Sequence, residues 1–173
     1  MSKMKHIGGQ AVITRITAGA FLSCGDKVLL MKRGMHKELG PGLWAGVGGH
    51  LDMCDIENPR AIDFVNTCYR EVEEETGIAR TDIRNLTLRY LAVRKDGNEI
   101  RLHHHYFGEL EKAIVLPVCD EGEFFWVDKD KISSLPMSTS VREAITHWIN
   151  NPGDGVYFIA VCPDGESAVV SKI

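Results

Sequence analysis

The run Arg70-Glu71-Val72-Glu73-Glu74-Glu75-Thr76-Gly77-Ile78 constrains this chain more than any other stretch. Glycine after a periodic run is a common C-terminal stop, so the spacing predicts a helix ending at Gly77. At about 100° per residue, Glu71, Glu74 and Glu75 share one face within about 100° of arc. Ala61, Val65, Cys68, Tyr69 and Val72 fall on the opposite side. One side is built to pack and the other gathers negative charge. Carboxylates three and four residues apart repel by roughly 0.2–0.5 kcal/mol each. A hard divalent cation reverses that sign, because carboxylate oxygens are the ligands that Mg²⁺ and Mn²⁺ prefer. A solvated acidic surface is the competing reading.

Upstream residues weigh against mere surface. Pro41-Gly42-Leu43-Trp44-Ala45-Gly46-Val47 leads into Gly48-Gly49, and G-G…R-E-V-x-E-E-x-G-I follows. This pattern resembles the signature of the Nudix hydrolases, G-x5-E-x7-R-E-U-x-E-E-x-G-U, with U aliphatic. The second half agrees at Arg70, Glu71, Val72, Glu74, Glu75, Gly77 and Ile78. The first half departs. Gly49 to Arg70 is a step of 21 where the pattern has 14, so seven residues are extra. Counting forward from Gly49 puts Asp55 at the first acidic position, and Glu57 is the nearest glutamate.

The chain has 173 residues, within the usual range for one core, and its 44% hydrophobic content argues against disorder. A single domain over 1–173 is expected, with its core over about 12–150 and a closing hairpin over 154–173. The net charge of −4 excludes a broad electrostatic footprint for nucleic acid, but not a nucleotide whose charge a metal offsets. No apolar run approaches the roughly 18 residues of a membrane span, and the N-terminus lacks a signal-peptide core. Cys24, Cys54, Cys68, Cys119 and Cys162 are an odd set without C-x-x-C spacing, as for thiols in a reducing compartment. A cytoplasmic protein without membrane or nucleic-acid partners is the expectation.

Met1–Gln10 reads as a loose lead-in. Ala11–Ser23 and Lys27–Lys32 read as a hairpin around Cys24-Gly25-Asp26. Gly34–Gly42 is loop, and Lys32 and Arg33 ahead of it are candidates to face substrate phosphates. Trp44–Gly49 is a small-residue strand on which backbone can approach a ligand closely. Asn58 as N-cap and Pro59 in the first turn open the acidic helix, and Arg70 lies one turn before Glu74. Leu86–Arg94 and Glu99–Leu110 pair across Lys95-Asp96-Gly97-Asn98. Within the second strand, alternation sends His104 to one face and His103 and His105 to the other, so the three do not converge on one metal. A strand Phe124–Val127 follows Glu121. Ser140-x-x-Glu143 has the form of a capping box. The helix after it aligns Val141, Ala144, Ile145, Trp148 and Ile149 for packing. Val156–Cys162 and Ala168–Ile173 form the closing hairpin, which either completes the sheet or serves a homodimer.

Strands interrupted by one acidic helix and closed by another suggest an α+β or mixed architecture. The resemblance implies the Nudix-type α/β/α sandwich with a central mixed sheet. It implies hydrolysis of a nucleoside diphosphate linked to a group X, with Mg²⁺ or Mn²⁺ held by Glu71, Glu74 and Glu75. A backbone carbonyl at Gly48 or Gly49 joins the shell, and Arg70 orients a carboxylate. The family also often recruits a glutamate from outside the box as ligand or base. Of Glu99 and Glu121, Glu121 is the first choice. Trp126 is a candidate to stack on a purine base. The proline and tyrosine markers of the ADP-ribose and diadenosine-polyphosphate groups are missing from their places. Similarity to mutator-type members suggests oxidised nucleoside triphosphates such as 8-oxo-dGTP, cleaved to monophosphate and pyrophosphate. The alternatives are a nucleotide-sugar or other nucleoside diphosphate-X hydrolase, or a non-catalytic nucleotide-binding sensor module.

Overall fold

The computed structural model describes residues 12–52, 55 and 64–173. Met1–Gln10, Cys54, Glu57, Asn58, Pro59 and Ala61 lie outside the described residues, and with them the expected helix start. The elements follow the apolar pattern. β1 (Ile13–Cys24) and β2 (Lys27–Arg33) form the first hairpin, with Cys24 opposite Lys27 and Gly25 at φ +58 in the turn. β3 (Trp44–Ala45) and β4 (Val47–His50) divide the expected small-residue strand at Gly46. α1 (Phe64–Thr76) carries the glutamates, and Gly77 ends it at φ +71 with its N–H on the Glu73 carbonyl. β5 (Ile83–Asp96) and β6 (Glu99–Leu110) turn over Gly97-Asn98. β7 (Gly122–Asp128), α2 (Thr139–Asn150), β8 (Tyr157–Val161) and β9 (Ala168–Lys172) complete the order.

One mixed sheet runs β3-β2-β1-β6-β5-β8-β9. β1 is parallel to β6 and β5 to β8, and the other pairings are antiparallel. β6 takes one edge of β1 while β4 and β2 share the other, and β7 pairs with β2. The closing hairpin extends this chain's own sheet through β8.

Period-two alternation sends side chains to two cores. Ala18, Ala20, Leu22 and Leu29 join Cys68 and Val72 of α1 on one face. Phe21, Val28, Leu30, Tyr90 and Phe107 join Ala144 and Ile145 of α2 on the other. The sheet is thus mixed and flanked by helices. One boundary differs from expectation. α2 begins at Thr139 with Ser138 in the N-cap position, so Ser140 is a buried first-turn residue and not a cap. Ser138 has extended backbone and its carbonyl accepts from Arg142 N, as an N-cap residue does. Among the described residues no helix is long and apolar enough to cross a membrane.

Candidate functional site

The acidic face of α1 meets the sheet at β4, and the glycines there make the meeting possible. A Cβ on Gly49 would collide with the Glu71 carboxylate, and one on Gly48 with the Ala18 carbonyl and Gly19. Small residues therefore let β4 lie against β1 while Glu71 folds down onto the β4 backbone. An open cavity of about 1090 Å³ lies over this junction, and Gly49, Glu71, Glu75 and Glu121 share its lining.

Arg70 organises the acids. Its Nη2 donates to Asp55 Oδ2 at 2.9 Å, its Nε to Asp55 Oδ1 at 3.3 Å, and its Nη1 to Glu71 Oε1 at 2.8 Å. Nη2 also donates to the His50 carbonyl at 3.2 Å, tying α1 to the end of β4. Glu74 takes the weaker share, 3.3 Å from Nη1, with its side chain 61% exposed and outside the cavity lining. Hydrogen bonds from Arg70 hold the Asp55 carboxyl below its ordinary range against the opposing effect of burial.

Asp55, which the seven-residue offset put in question, is thus a two-point partner of Arg70. Asp55→Ala is accordingly expected to lower kcat/KM at least as far as Glu74→Gln, with the two variants assayed side by side. This reverses what the broken spacing alone suggests, because a bidentate partner of Arg70 also steadies Glu71.

Glu75 sits differently. Its Oε2 is buried without a hydrogen-bond partner. Burial, and then the charges of Glu71 and Glu121, push its pKa up to about 7. Burial also raises Glu71, against the attraction of Arg70. Glu121 arrives from the segment before β7, held by Lys37 Nζ at 2.6 Å and lying 3.8 Å from Arg33 Nη2.

Among the described residues no group of three His, Cys, Asp or Glu side chains is gathered tightly enough to hold a metal ion as it stands. Arg70 and Lys37 draw Glu71 and Glu121 toward themselves, and bare carboxylates repel one another. The residues nonetheless fit a hard divalent cation. The donors are oxygens, one buried carboxylate oxygen is orphaned, and glycine leaves backbone open beside Glu71.

Of the residues expected to bind substrate, Arg33 lines the cavity and Lys32 does not, since the two point to opposite sides of β2. Trp126 is also outside the cavity. It packs against the α1-side core, away from this cavity, and its indole N–H donates to the Ile114 carbonyl at 3.0 Å. Glu99 is held by Arg15 and Arg101, away from the box glutamates. Lys37 went unmarked because it lies in a loop whose fold, not its composition, brings it to Glu121. The histidines divide as alternation requires. The His104 ring lies tilted against Phe64, centroids 4.0 Å apart, while the His103 and His105 rings lie parallel on the other face, 6.0 Å apart.

A sequence-family profile described as NUDIX domain matches residues 13–149. No curated protein matches the chain. Among solved structures, a mutator MutT protein from Bacillus halodurans is similar at 21% identity and TM-score 0.68, over 91% of this chain and 97% of that one. A MutT NUDIX hydrolase from Burkholderia pseudomallei is similar at 25% identity and TM-score 0.59, over 77% and 96%. The E. coli dihydroneopterin triphosphate pyrophosphohydrolase is similar at 19% identity and TM-score 0.62, over 82% and 99%. Likeness at this level is one of fold. The profile ends before β8 and β9, which nevertheless belong to the same sheet.

Proposed function

This chain belongs to the NUDIX domain family, and on that premise we propose that it is a metal-dependent pyrophosphohydrolase of nucleoside diphosphate-X compounds. Within that class we propose oxidised nucleoside triphosphates such as 8-oxo-dGTP as substrates, cleaved to monophosphate and pyrophosphate. One observation carries the reading of the site. Glu71 and Glu75 from α1 and Glu121 from before β7 line one cavity, with Glu75 Oε2 buried and unpartnered.

Glu71, Glu75 and Glu121, with Glu74 on the exposed rim and the Gly49 carbonyl beside them, are the residues that would hold Mg²⁺ or Mn²⁺. A divalent cation there supplies charge neutralisation at the phosphates and a more acidic water. Arg70 keeps Glu71 aimed at the β4 backbone by gripping Glu71, Asp55 and the His50 carbonyl at once. Arg33, beside Glu121 on the cavity wall, is placed to meet phosphate oxygens, and Lys37 next to it adds a second cation. One of Glu71, Glu74 and Glu75, or Glu121, takes the proton from the attacking water.

Product analysis tests the reaction. A nucleoside triphosphate should yield monophosphate and pyrophosphate in one step, because anchored phosphates fix which phosphorus faces the water. Orthophosphate as first product would sink the triphosphate reading. A panel including 8-oxo-dGTP, dGTP and nucleotide sugars fixes the class, and preferential cleavage of a nucleotide sugar would favour the other nucleoside diphosphate-X reading.

A further inference from the structure

On the α2 side of the sheet, β1, β6 and β5 present their side chains in matched rows. Arg15 pairs with Arg101 and Arg101 with Arg94. The next row is Thr17, His103 and Ala92, and the one after it is Gly19, His105 and Tyr90. α2 covers the far end, where Trp148 lies 4.7 Å from Phe107. The arginine row and the histidines line the same cavity as Glu71 and Glu75.

Like charges directly opposite each other destabilise a sheet, and this row contains two such pairs side by side. Asp96 and Glu99 offset it in part. Asp96 lies 2.9 Å from Arg94 and 3.5 Å from Arg101, while Glu99 lies 2.9 Å from Arg15 and also contacts Arg101. Three guanidinium groups against two carboxylates leave the row net positive. A placement that costs stability is characteristic of a functional position.

The row stands well away from the acidic wall. Gly49, under Glu71, is opposite Ala18, and Arg15 is three residues further along β1. Along the strand that is about 10 Å at the usual rise of about 3.3 Å per residue, and the row faces α2 while Glu71 comes from the α1 side, the cavity passing from one to the other. Beside the row, on the same face, lies a neutral platform. Thr17 Oγ1 and the His103 Nδ1 share a hydrogen bond of 2.7 Å, and the buried His105 Nε2 has no partner. Burial pushes the His105 pKa down to about 3, and burial with the nearby arginines pushes His103 down to about 4, so both imidazoles are uncharged at neutral pH.

We propose that Arg15, Arg94 and Arg101 bind a second anionic group of the substrate, a phosphate ester or carboxylate, separated from the scissile diphosphate by a neutral ring lying over Thr17, His103 and His105. The assignment rests on the pyrophosphohydrolase reading for the diphosphate itself and, because a plain nucleoside triphosphate has no such second group, it points within that class to the other nucleoside diphosphate-X compounds. Guanidinium groups suit such oxyanions through their paired donors. The cavity volume, just above the roughly 300–1,000 Å³ of ordinary ligand pockets, leaves room for the extra group.

Calorimetric titration of the protein in Mg²⁺ with adenosine 3′,5′-bisphosphate and with adenosine 5′-monophosphate tests this directly. The bisphosphate should bind at least about tenfold tighter, the size of one charge-assisted contact. In the double variant Arg15→Gln/Arg94→Gln that advantage should shrink to about twofold or less. Asp96→Asn, which removes a competing carboxylate, should tighten the bisphosphate by about threefold, a direction that misfolding does not produce. Equal affinity for the two ligands overturns the proposal, as does an advantage that survives the double substitution or an Asp96→Asn variant that binds no tighter. A preference for ATP over the monophosphate that vanishes in the double variant, with no gain from a 3′-phosphate, assigns the row to the triphosphate chain and overturns it too. Hydrolysis of an unsubstituted nucleoside triphosphate separates the two readings. Inactivity there with the bisphosphate preference intact removes the proposed function alone, and activity without the preference removes only the arginine site.

Discussion

Glu75→Gln should lower kcat by about 10²–10⁴-fold, the range spanned by loss of a catalytic proton-transfer group, and should at the same time make the metal-free protein more stable at neutral pH. The second half follows from burial. A glutamate whose folded pKa is raised to about 7 is ionised against an unfavourable environment at higher pH. Below the ordinary value of 4.5 the group is protonated in both the folded and the unfolded chain, and it has no effect. As pH rises from there to 7 the folded chain retains a proton that the unfolded chain has released, so stability falls through that window. The full penalty, on the order of 3 kcal/mol, is present above it. Glutamine carries no charge and escapes the penalty. In EDTA at pH 8 the variant should therefore melt several degrees above the parent, at about 2–4 °C per kcal/mol for a chain of this size. The two should converge at pH 4.5. Equal melting temperatures at pH 8 would show that Glu75 does not feel the environment described here, and unchanged kcat would place the chemistry elsewhere.

Chelation should abolish turnover, and Mg²⁺ or Mn²⁺ should restore it. Glu71, Glu75 and Glu121 face a cavity that must receive an anionic diphosphate, and without a cation they repel it. The same ion should stabilise the folded chain, by about 2.7 kcal/mol at a hundred times its dissociation constant. That gain should be visible as a rise in melting temperature and should be smaller in Glu75→Gln. Full turnover in excess EDTA would remove the metal from the mechanism. A thermal shift of equal size in parent and variant would remove Glu75 from the ion's surroundings.

The helix was legible because its two faces are written in the same thirteen residues. Cys68 and Val72 had to be buried if Glu71, Glu74 and Glu75 were to share the other side, and Gly77 had to stop the run. The hairpins over Gly25 and Gly97 and the division of the three histidines between faces were equally local, since turn chemistry and a period of two decide them. Trp126 stayed ambiguous in the sequence for the complementary reason. Its composition suits both a base pocket and a core, and only the pairing of β7 with β2 assigns it to the core. Ser140 showed the same ambiguity, because S-x-x-E describes a cap only where the backbone is extended, and here Ser138 holds that place.

By itself, then, the sequence determined what depends on neighbours along the chain: the acidic helix, the glycine approach to it, the alternating strands and the family they belong to. Tertiary structure alone decided what depends on distant segments meeting. It set Asp55 against Arg70 across the insertion, brought Glu121 and Lys37 to the wall that Glu75 faces, and aligned Arg15, Arg101 and Arg94 in one row. The physical reason is one of range. Propensity and periodicity act over a few residues, whereas a charge's environment is set by whichever strand or loop packs beside it. Glu74 and Glu75 are adjacent in sequence, yet one lies 61% exposed at the rim while the other has an orphaned oxygen in the interior.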